Sequence, residues 1–468
     1  MSLQIFNSLS KQKEEFRPIE PGIVKMYVCG PTVYDEPHLG HMRSAYVFEM
    51  MRNYFKYSGL KVRFARNVTD VDDKIIEKAC ANSPLDLNVE TAAVSEKYLA
   101  LYHRDLKRLG IQEPDFEPKA TEFIPEMVSF IQILIQKKHA YVSQGDVYFD
   151  VASFPSYGEV SHQKTDQMLE EVSDDANTAK KNPLDFALWK KVKEGEPSWE
   201  SPWGRGRPGW HIECSAMSLS YFIGTFDIHG GGRDLIFPHH ENENAQSRCG
   251  LGTPFVNTWI HHGLITAEGK KMSKSLKNFI TLDELSSHDI GPSSAFQILK
   301  LTFLGTHYSA PLDYTSERSR MDRQVWKKFK EFFENARLAE KNGAKRSEKR
   351  MAEFYKPFRE SMDNDFNTPE TLSHMHALMH DTYKAGDPVA LVTAAAAIRN
   401  FGFDVFGIRF DSEATHSDHV ERQIAIRAEA KKKKDFKVAD EIRDGLLKEK
   451  NVELRDLPDG RTTWRVKW

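Results

Sequence analysis

Two groups of side chains, far apart along the chain, have the types and spacing to handle a polyanion. His38-Leu39-Gly40-His41 sets two imidazoles three residues apart, a spacing that brings both onto one face of a first helical turn. A helix start adds unpaired backbone N–H groups and the positive end of the dipole, which attract an anion. Gly40 lets a flat ligand approach the backbone. The functional reading is a triphosphate cradle; standing alone, the motif would be better read as two surface histidines at a helix start. Further on, Lys271-Met272-Ser273-Lys274-Ser275 follows Glu268-Gly269-Lys270. Its lysines and hydroxyls can close over a pyrophosphate and offset the negative charge that grows as it leaves; a basic surface loop is the alternative.

The elements that must hold these groups are legible nearby. Val24, Met26 and Val28 alternate with Lys25 and Tyr27, which predicts a short strand from Val24 to Cys29. A Gly30-Pro31-Thr32 turn and a polar loop lead to His38. A helical period follows, with Val47, Met50, Met51, Tyr54 and Phe55 on one face, stopped at Gly59. Val62 to Val68 reads as a second strand. This strand–loop–helix–strand unit predicts a parallel sheet with a ligand at the strand's carboxyl end, and no GxGxxG dinucleotide fingerprint follows the strand. The stretch 92–139 reads as mostly helical, and 156–200 as a polar insertion over the sheet. Asp227 to His229 with Gly230 to Gly232 reads as a strand and loop, and Trp259 to Thr266 as a further strand. Past Thr315 the chain becomes helical and charged. Asp387-Pro388 predicts a helix start and Gly402 its end, while 411–418 reads as a linker before a small basic helical piece.

Composition bounds the class. The 468 residues are 40% hydrophobic and 28% charged, enough to bury a core and against disorder. Mean hydropathy is -0.56, and no apolar run of about 18 residues predicts a membrane span. The first residues lack the apolar segment of a signal peptide, so a cytoplasmic protein is expected. Cys29, Cys80, Cys214 and Cys249 are widely separated, which excludes a local zinc knuckle but not a site assembled by folding. The net charge of -3 is uneven: residues 421–468 hold 14 Lys+Arg against 10 Asp+Glu, or +4, leaving -7 on the rest. A basic terminal module on an acidic body suits local nucleic-acid contact, as it suits a solvated helix face around Lys431 to Lys434.

HLGH after a first strand together with KMSKS after a late strand is the paired signature of class I aminoacyl-tRNA synthetases. The chain further resembles the cysteinyl-tRNA synthetase family over nearly its whole length. The resemblance is carried by residues 26–42 (MYVCGPTVYDEPHLGHM), 67–76 (NVTDVDDKII), 197–219 (PSWESPWGRGRPGWHIECSAMSL) and 227–247 (DIHGGGRDLIFPHHENENAQS). Residues 362–369 (MDNDFNTP) and 435–445 (DFKVADEIRDG) extend it. Leu39 replaces the isoleucine of the family's HIGH motif, and Met42 and Asn244 differ from commoner choices; none of these removes acid–base or ligand chemistry.

The resemblance implies an α/β fold: a Rossmann-like parallel-sheet catalytic domain over 1–314 with an insertion at about 110–205. An α-helical, tRNA-binding bundle over 315–410 and a small anticodon-contacting domain over 420–468 would follow. It implies one Zn²⁺ on Cys29, Cys214, His239 and Glu243, a donor set of two thiolates, an imidazole and a carboxylate that suits this ion. It places ATP, with Mg²⁺, against Thr32, His38, Gly40, His41, Gly231, Asp234, Lys271, Ser273 and Lys274. His38, His41, Lys271 and Lys274 would be the catalytic groups, and Cys29 and Trp210 would lie near L-cysteine. The implied partners are tRNA(Cys), ATP and L-cysteine, with no membrane, and the implied state is a monomer. His240, Cys80 and Cys249 keep structural roles in this reading. The competing readings are a cysteine ligase acting on an amino-sugar, a non-catalytic tRNA-binding module, and a zinc hydrolase.

Overall fold

In the computed structural model, which describes residues 2–82, 85–164, 168, 179–272, 278–286, 292–410, 414–450, 452–456 and 462–466, the first alternating stretch becomes the strand β1, Ile23–Val28. The helical period that follows becomes α1, Leu39–Tyr57, and Lys61–Arg66 forms β2, parallel to β1 with Val24 opposite Val62 and Met26 opposite Phe64. The chain returns to this sheet after an insertion. Trp210–Phe222 is α2, Phe226–Gly232 is β3, Glu241–Leu251 is α3 and Val256–His262 is β4. The four strands lie in the order β4-β3-β1-β2, all parallel. From β1 the chain crosses to β2 on one side, whereas β3 lies on the other. The carboxyl ends of β1 and β3 therefore form a switch point, where such sheets leave a crevice for a ligand.

The glycine triplet departs from expectation. Its composition predicts a loop, yet β3 runs through Gly232 and every one of its residues is buried. A Cβ on Gly230 would lie 2.3 Å from the ring of Phe48, so the absent side chains let α1 pack directly on the strand. The polar insertion also holds more order than its composition suggested. Phe186–Lys191 is a strand in a small antiparallel sheet with Ala140–Ser143, Asp146–Phe149 and Gly206–Pro208. Phe186, Leu188 and Trp189 bury against the helix Ile124–Gln136 and against α2.

By its contacts the chain divides into two compact units. The first comprises Met1–Leu282, Thr306–Tyr314 and Glu360–Pro369; the second, Asp283–Gly305, Thr315–Arg359 and Glu370–Trp468. In the second, Phe410 packs on Trp326, Phe329 and Phe333, with ring centroids 5.6, 5.0 and 4.7 Å away. Asp387 caps the helix Pro388–Asp404 by accepting from Val389 N, as predicted. Gly402 does not end that helix; it lies inside it, where a Cβ would meet the Phe410 ring at 2.7 Å. The stretch read as a linker is helical from Ala414 onward, in Ala414–Lys432; 411–413 lie outside the described residues. The basic terminal piece ends in a hairpin, Val452–Asp456 with Thr462–Val466, where buried Arg427 grips both oxygens of Asp456 at 2.8 and 3.0 Å. Among the described residues no helix is long and apolar enough to cross a membrane.

Candidate active site

The HLGH turn sits where β1 has ended and α1 begins. His38 is the N-cap residue: its Nδ1 accepts from Gly40 N at 2.9 Å, and His41 Nδ1 accepts from His38 N at 3.2 Å. The two imidazoles thus fill the reciprocal roles that a hydroxyl and a carboxylate take in an ordinary capping box. This fixes their chemistry. A ring whose Nδ1 accepts carries its proton on Nε2 when neutral, and neither Nε2 has a partner among the described residues. Burial draws His38 down to about 4 against the opposing pull of Asp35; burial and then His38 draw His41 to about 3. At neutral pH the partly exposed pair, centroids 4.0 Å apart, therefore presents two uncharged Nε2–H donors.

A lowered pKa means that the neutral form persists until the pH falls well below the ordinary value. ¹⁵N-resolved NMR of the two imidazoles between pH 5 and 8 should accordingly show a pyridine-like Nδ1, a pyrrole-like Nε2 and no titration. A midpoint near the ordinary histidine value of ~6.5 would refute the neutral-donor assignment.

Behind the turn, folding brings together the four groups that the resemblance singled out. One ligand atom each from Cys29, Cys214, His239 and Glu243 lies within 4.8 Å of the others, and all four residues are buried. Cys29 follows β1, Cys214 lies in α2, His239 in the turn before α3, and Glu243 in the first turn of α3. The sulfurs are 3.6 Å apart, Cys29 donates to Glu243 Oε1 at 3.4 Å, and His239 Nε2 lies 3.0 Å from the same oxygen. Burial pushes the Cys29 thiol well up, and Cys214 and Glu243 add to the rise. Burial also works against Cys214, but the Cys29 hydrogen bond and His239 bring its thiol below the ordinary value. Glu243 is held well below the carboxylate range by His229 and His239, again against burial. The cluster shares protons among soft and hard donors, which a divalent cation would displace.

Further side chains orient these four. His211 Nδ1 lies 3.0 Å from His239 Nδ1, and the Trp210 ring stacks on His239 at 4.1 Å. His229 Nε2 is 3.0 Å from Glu243 Oε2, with its Nδ1 3.3 Å from Tyr27 O. Asn67 Oδ1 accepts from Gly30 N at 2.9 Å and lies 3.6 Å from Cys214 Sγ. Sequence reasoning missed His229, His211 and Asn67, although His229 stands just before the glycine triplet and Asn67 within a stretch already matched. His240, read as structural, is buried against His229 and, through Nδ1, 2.7 Å from His261 Nε2; with Cys29, His229 and Glu243 it forms a second group of metal-ligating type. Cys80 is exposed, and Cys249 is buried in the core of the insertion.

The remaining predicted residues are placed as follows. Thr32 bridges to Thr69 beside the HLGH loop. Gly231 lies on β3 opposite His261 of β4. Asp234 is exposed just beyond β3, and Lys271 is exposed on a two-residue strand paired to Ile265–Ala267. Ser273 and Lys274 lie outside the described residues.

Comparisons with known proteins bear on the family and the fold. A family model described as tRNA synthetases class I (C) catalytic domain matches residues 15–324, and a DALR domain model matches 357–411. The cysteine–tRNA ligase of Geobacter metallireducens is 42% identical over 500 residues, covering 100% of both chains. That of Coxiella burnetii (strain RSA 493) is 42% identical over 479 residues, covering 99% of this chain and 100% of that one. Among solved structures, Mycobacterium tuberculosis methionyl-tRNA synthetase in complex with methionyl-adenylate superposes with a TM-score of 0.61 at 12% identity, over 85% of this chain and 94% of that one. A leucyl enzyme of Agrobacterium radiobacter in a ternary complex with tRNA gives 0.60 at 9%, over 85% of each chain. At such identities these two share the fold.

Proposed function

The chain belongs to the cysteine–tRNA ligase family, and on that premise we propose how its residues divide the work of joining L-cysteine to tRNA(Cys) at the expense of ATP. Convergence of Cys29, Cys214, His239 and Glu243 within 4.8 Å in a buried pocket is the observation that carries the assignment. Two thiolates, an imidazole and a carboxylate fit Zn²⁺. The outer contacts of His239 to His211 and of Glu243 to His229 are of the kind that orient metal ligands. A bound ion would supply a Lewis acid there that lowers the pKa of a nearby substrate thiol, a change a hydroxyl cannot match near neutral pH. That distinction matters because shape alone separates near-isosteres by only ~10²-fold.

The chain's own groups then act by position and charge. The cysteine carboxylate attacks the α-phosphorus of ATP in line, forming cysteinyl-adenylate and releasing pyrophosphate, with no protein nucleophile required. The Nε2–H groups of His38 and His41 donate to phosphate oxygens at the start of α1, where the dipole and free N–H groups add to them. Lys271, with Ser273 and Lys274, offsets the charge on the departing pyrophosphate; Mg²⁺ accompanies the nucleotide. Gly231, Thr32 and Asp234 flank the adenosine, and Trp210, stacked on His239, borders the amino-acid pocket. A hydroxyl of the tRNA's terminal ribose attacks the adenylate carbonyl, forming the cysteinyl ester as the bond to the phosphate breaks and AMP leaves, and the basic segment 421–468 contacts the tRNA away from the reacting end. The same reading makes the protein a cytoplasmic monomer. A water-activating zinc hydrolase would leave the His38–His41 pair and Lys271 without a role.

Cysteine-dependent ATP–pyrophosphate exchange tests the assignment. Exchange should fall in step with metal removed by a chelator, return with Zn²⁺, and reach no more than ~1% of its rate with serine at equal concentration. Equal exchange with serine, or undiminished exchange by metal-free protein, would overturn it.

A further inference from the structure

Among the described residues, one buried cation of the catalytic unit has hydrogen-bond partners on the backbone alone. Arg43, two residues beyond His41 in α1, is 1% exposed. Its Nη1 donates to the carbonyls of Gly263 at 2.7 Å and Leu264 at 2.9 Å. Its Nη2 donates to the carbonyls of Ala310 at 2.7 Å and Tyr308 at 3.4 Å. Buried charges are ordinarily retained only with a strong partner set, so four carbonyls gathered on one guanidinium call for a reason. Burial draws the group down to about 10, and at neutral pH it stays charged.

The carbonyls belong to two segments that lead into paired strands. Leu264 precedes Ile265–Ala267, and Ala310 lies just ahead of Leu312–Tyr314, to which that strand pairs in parallel. Ile265–Ala267 then turns through Glu268 and Gly269 into Lys270–Lys271, with Lys271 opposite Thr266. The two segments meet closely: Gly263 N donates to Tyr308 O at 2.9 Å, and a Cβ on Gly263 would lie 2.1 Å from Ala310 O. Beyond the motif the chain is tied to the same helix start, because Leu39 N donates to Ile280 O at 3.0 Å and Phe279 meets the His38 ring edge-on at 5.0 Å. Both flanks of the stretch bearing Lys271 are thus joined to the opening turns of α1, and Arg43 makes the first joint.

We infer that Arg43 is a positioning residue for nucleotide activation: its four carbonyl bonds set the hairpin 265–271, and with it the Lys271 ammonium, against the His38–His41 pair. This rests on the reading that Lys271 and the two histidines act on the phosphates. A lysine cannot replace it, because the guanidinium fork reaches both segments at once whereas an ammonium donates from a single point.

The test is a double-mutant cycle on the full, zinc-loaded chain, read by ATP–pyrophosphate exchange. Arg43→Lys should lower kcat about tenfold or more while the KM for cysteine and the bound zinc stay within about twofold. In a Lys271→Ala background, itself impaired about tenfold or more, the same substitution should cost less than about threefold. Equal losses in both backgrounds would overturn the inference alone, as would a rise in cysteine KM or loss of zinc in parallel with kcat. A silent Lys271→Ala would instead overturn the phosphate reading on which the inference rests. Gly263→Ala breaks the same joint from the other side and should repeat the signature, so the inference stays falsifiable where Arg43→Lys fails to fold; a Gly263→Ala variant with full kcat would refute it.

Discussion

Cys214→Ser is expected to yield a folded protein that retains no tightly bound metal and exchanges pyrophosphate with cysteine at least ~10²-fold more slowly, a loss at the upper end of what disturbing even an outer-shell contact brings. Cys214 is 1% exposed, with Cys29 Sγ and Asn67 Oδ1 each 3.6 Å away. A serine hydroxyl fits this space, but its shorter C–O bond leaves it beyond hydrogen-bond reach of the Asn67 oxygen as placed, so the cost to the metal-free fold should be about 1–3 kcal/mol. The ligand chemistry does not survive the exchange. A coordinated thiol ionises readily from a pKa of ~8.5, whereas a serine hydroxyl does not ionise near neutral pH. Metal content, chelator competition and the melting temperature of the metal-free forms separate the two effects. Wild-type exchange in a variant without metal would sink the proposed role of the cluster, and a collapse of the metal-free fold would show Cys214 to be chiefly a packing residue.

What could be read from the chain beforehand follows from how local each signal is. β1, α1 and β2 were legible because alternation and helical period are written within a few residues, and the HLGH pair because its spacing is a helical turn. The cluster of four was not legible from spacing. His239 and Glu243 are near neighbours, but Cys29 and Cys214 meet only because β1 and α2 converge at the switch point of the sheet. The family resemblance supplied that set, while His211 and His229, which brace it, carried no periodic signal. Arg43 was invisible for a different reason: its partners are backbone carbonyls, which have no sequence signature. Gly402 and the triplet Gly230 to Gly232 misled because glycine marks ends and turns as well as tight packing, and only the positions of Phe410 and Phe48 decide between these uses.

Gly40→Ala should separate activity from stability. A Cβ there would lie 2.6 Å from His38 Cε1, 2.8 Å from His38 Nδ1 and 3.4 Å from Ile265 Cγ2, so the imidazole must swing away. Swinging breaks its bond to Gly40 N, and with it the constraint that keeps the proton on Nε2. Losing the cap costs ~0.5–2 kcal/mol, but alanine in a helix gains ~0.5–1 kcal/mol over glycine, so net stability should move by no more than ~1 kcal/mol. The reaction has no such offset: a donor misplaced by ~1 Å costs on the order of 10²-fold in rate. Exchange kcat should fall by about that factor with the melting temperature nearly unchanged, and the His38 NMR signature should change from that of a fixed Nε2–H tautomer. Retention of full kcat would mean that His38 does not need its present position; a melting temperature that falls in step with kcat would mean that the glycine serves the fold before it serves the phosphates.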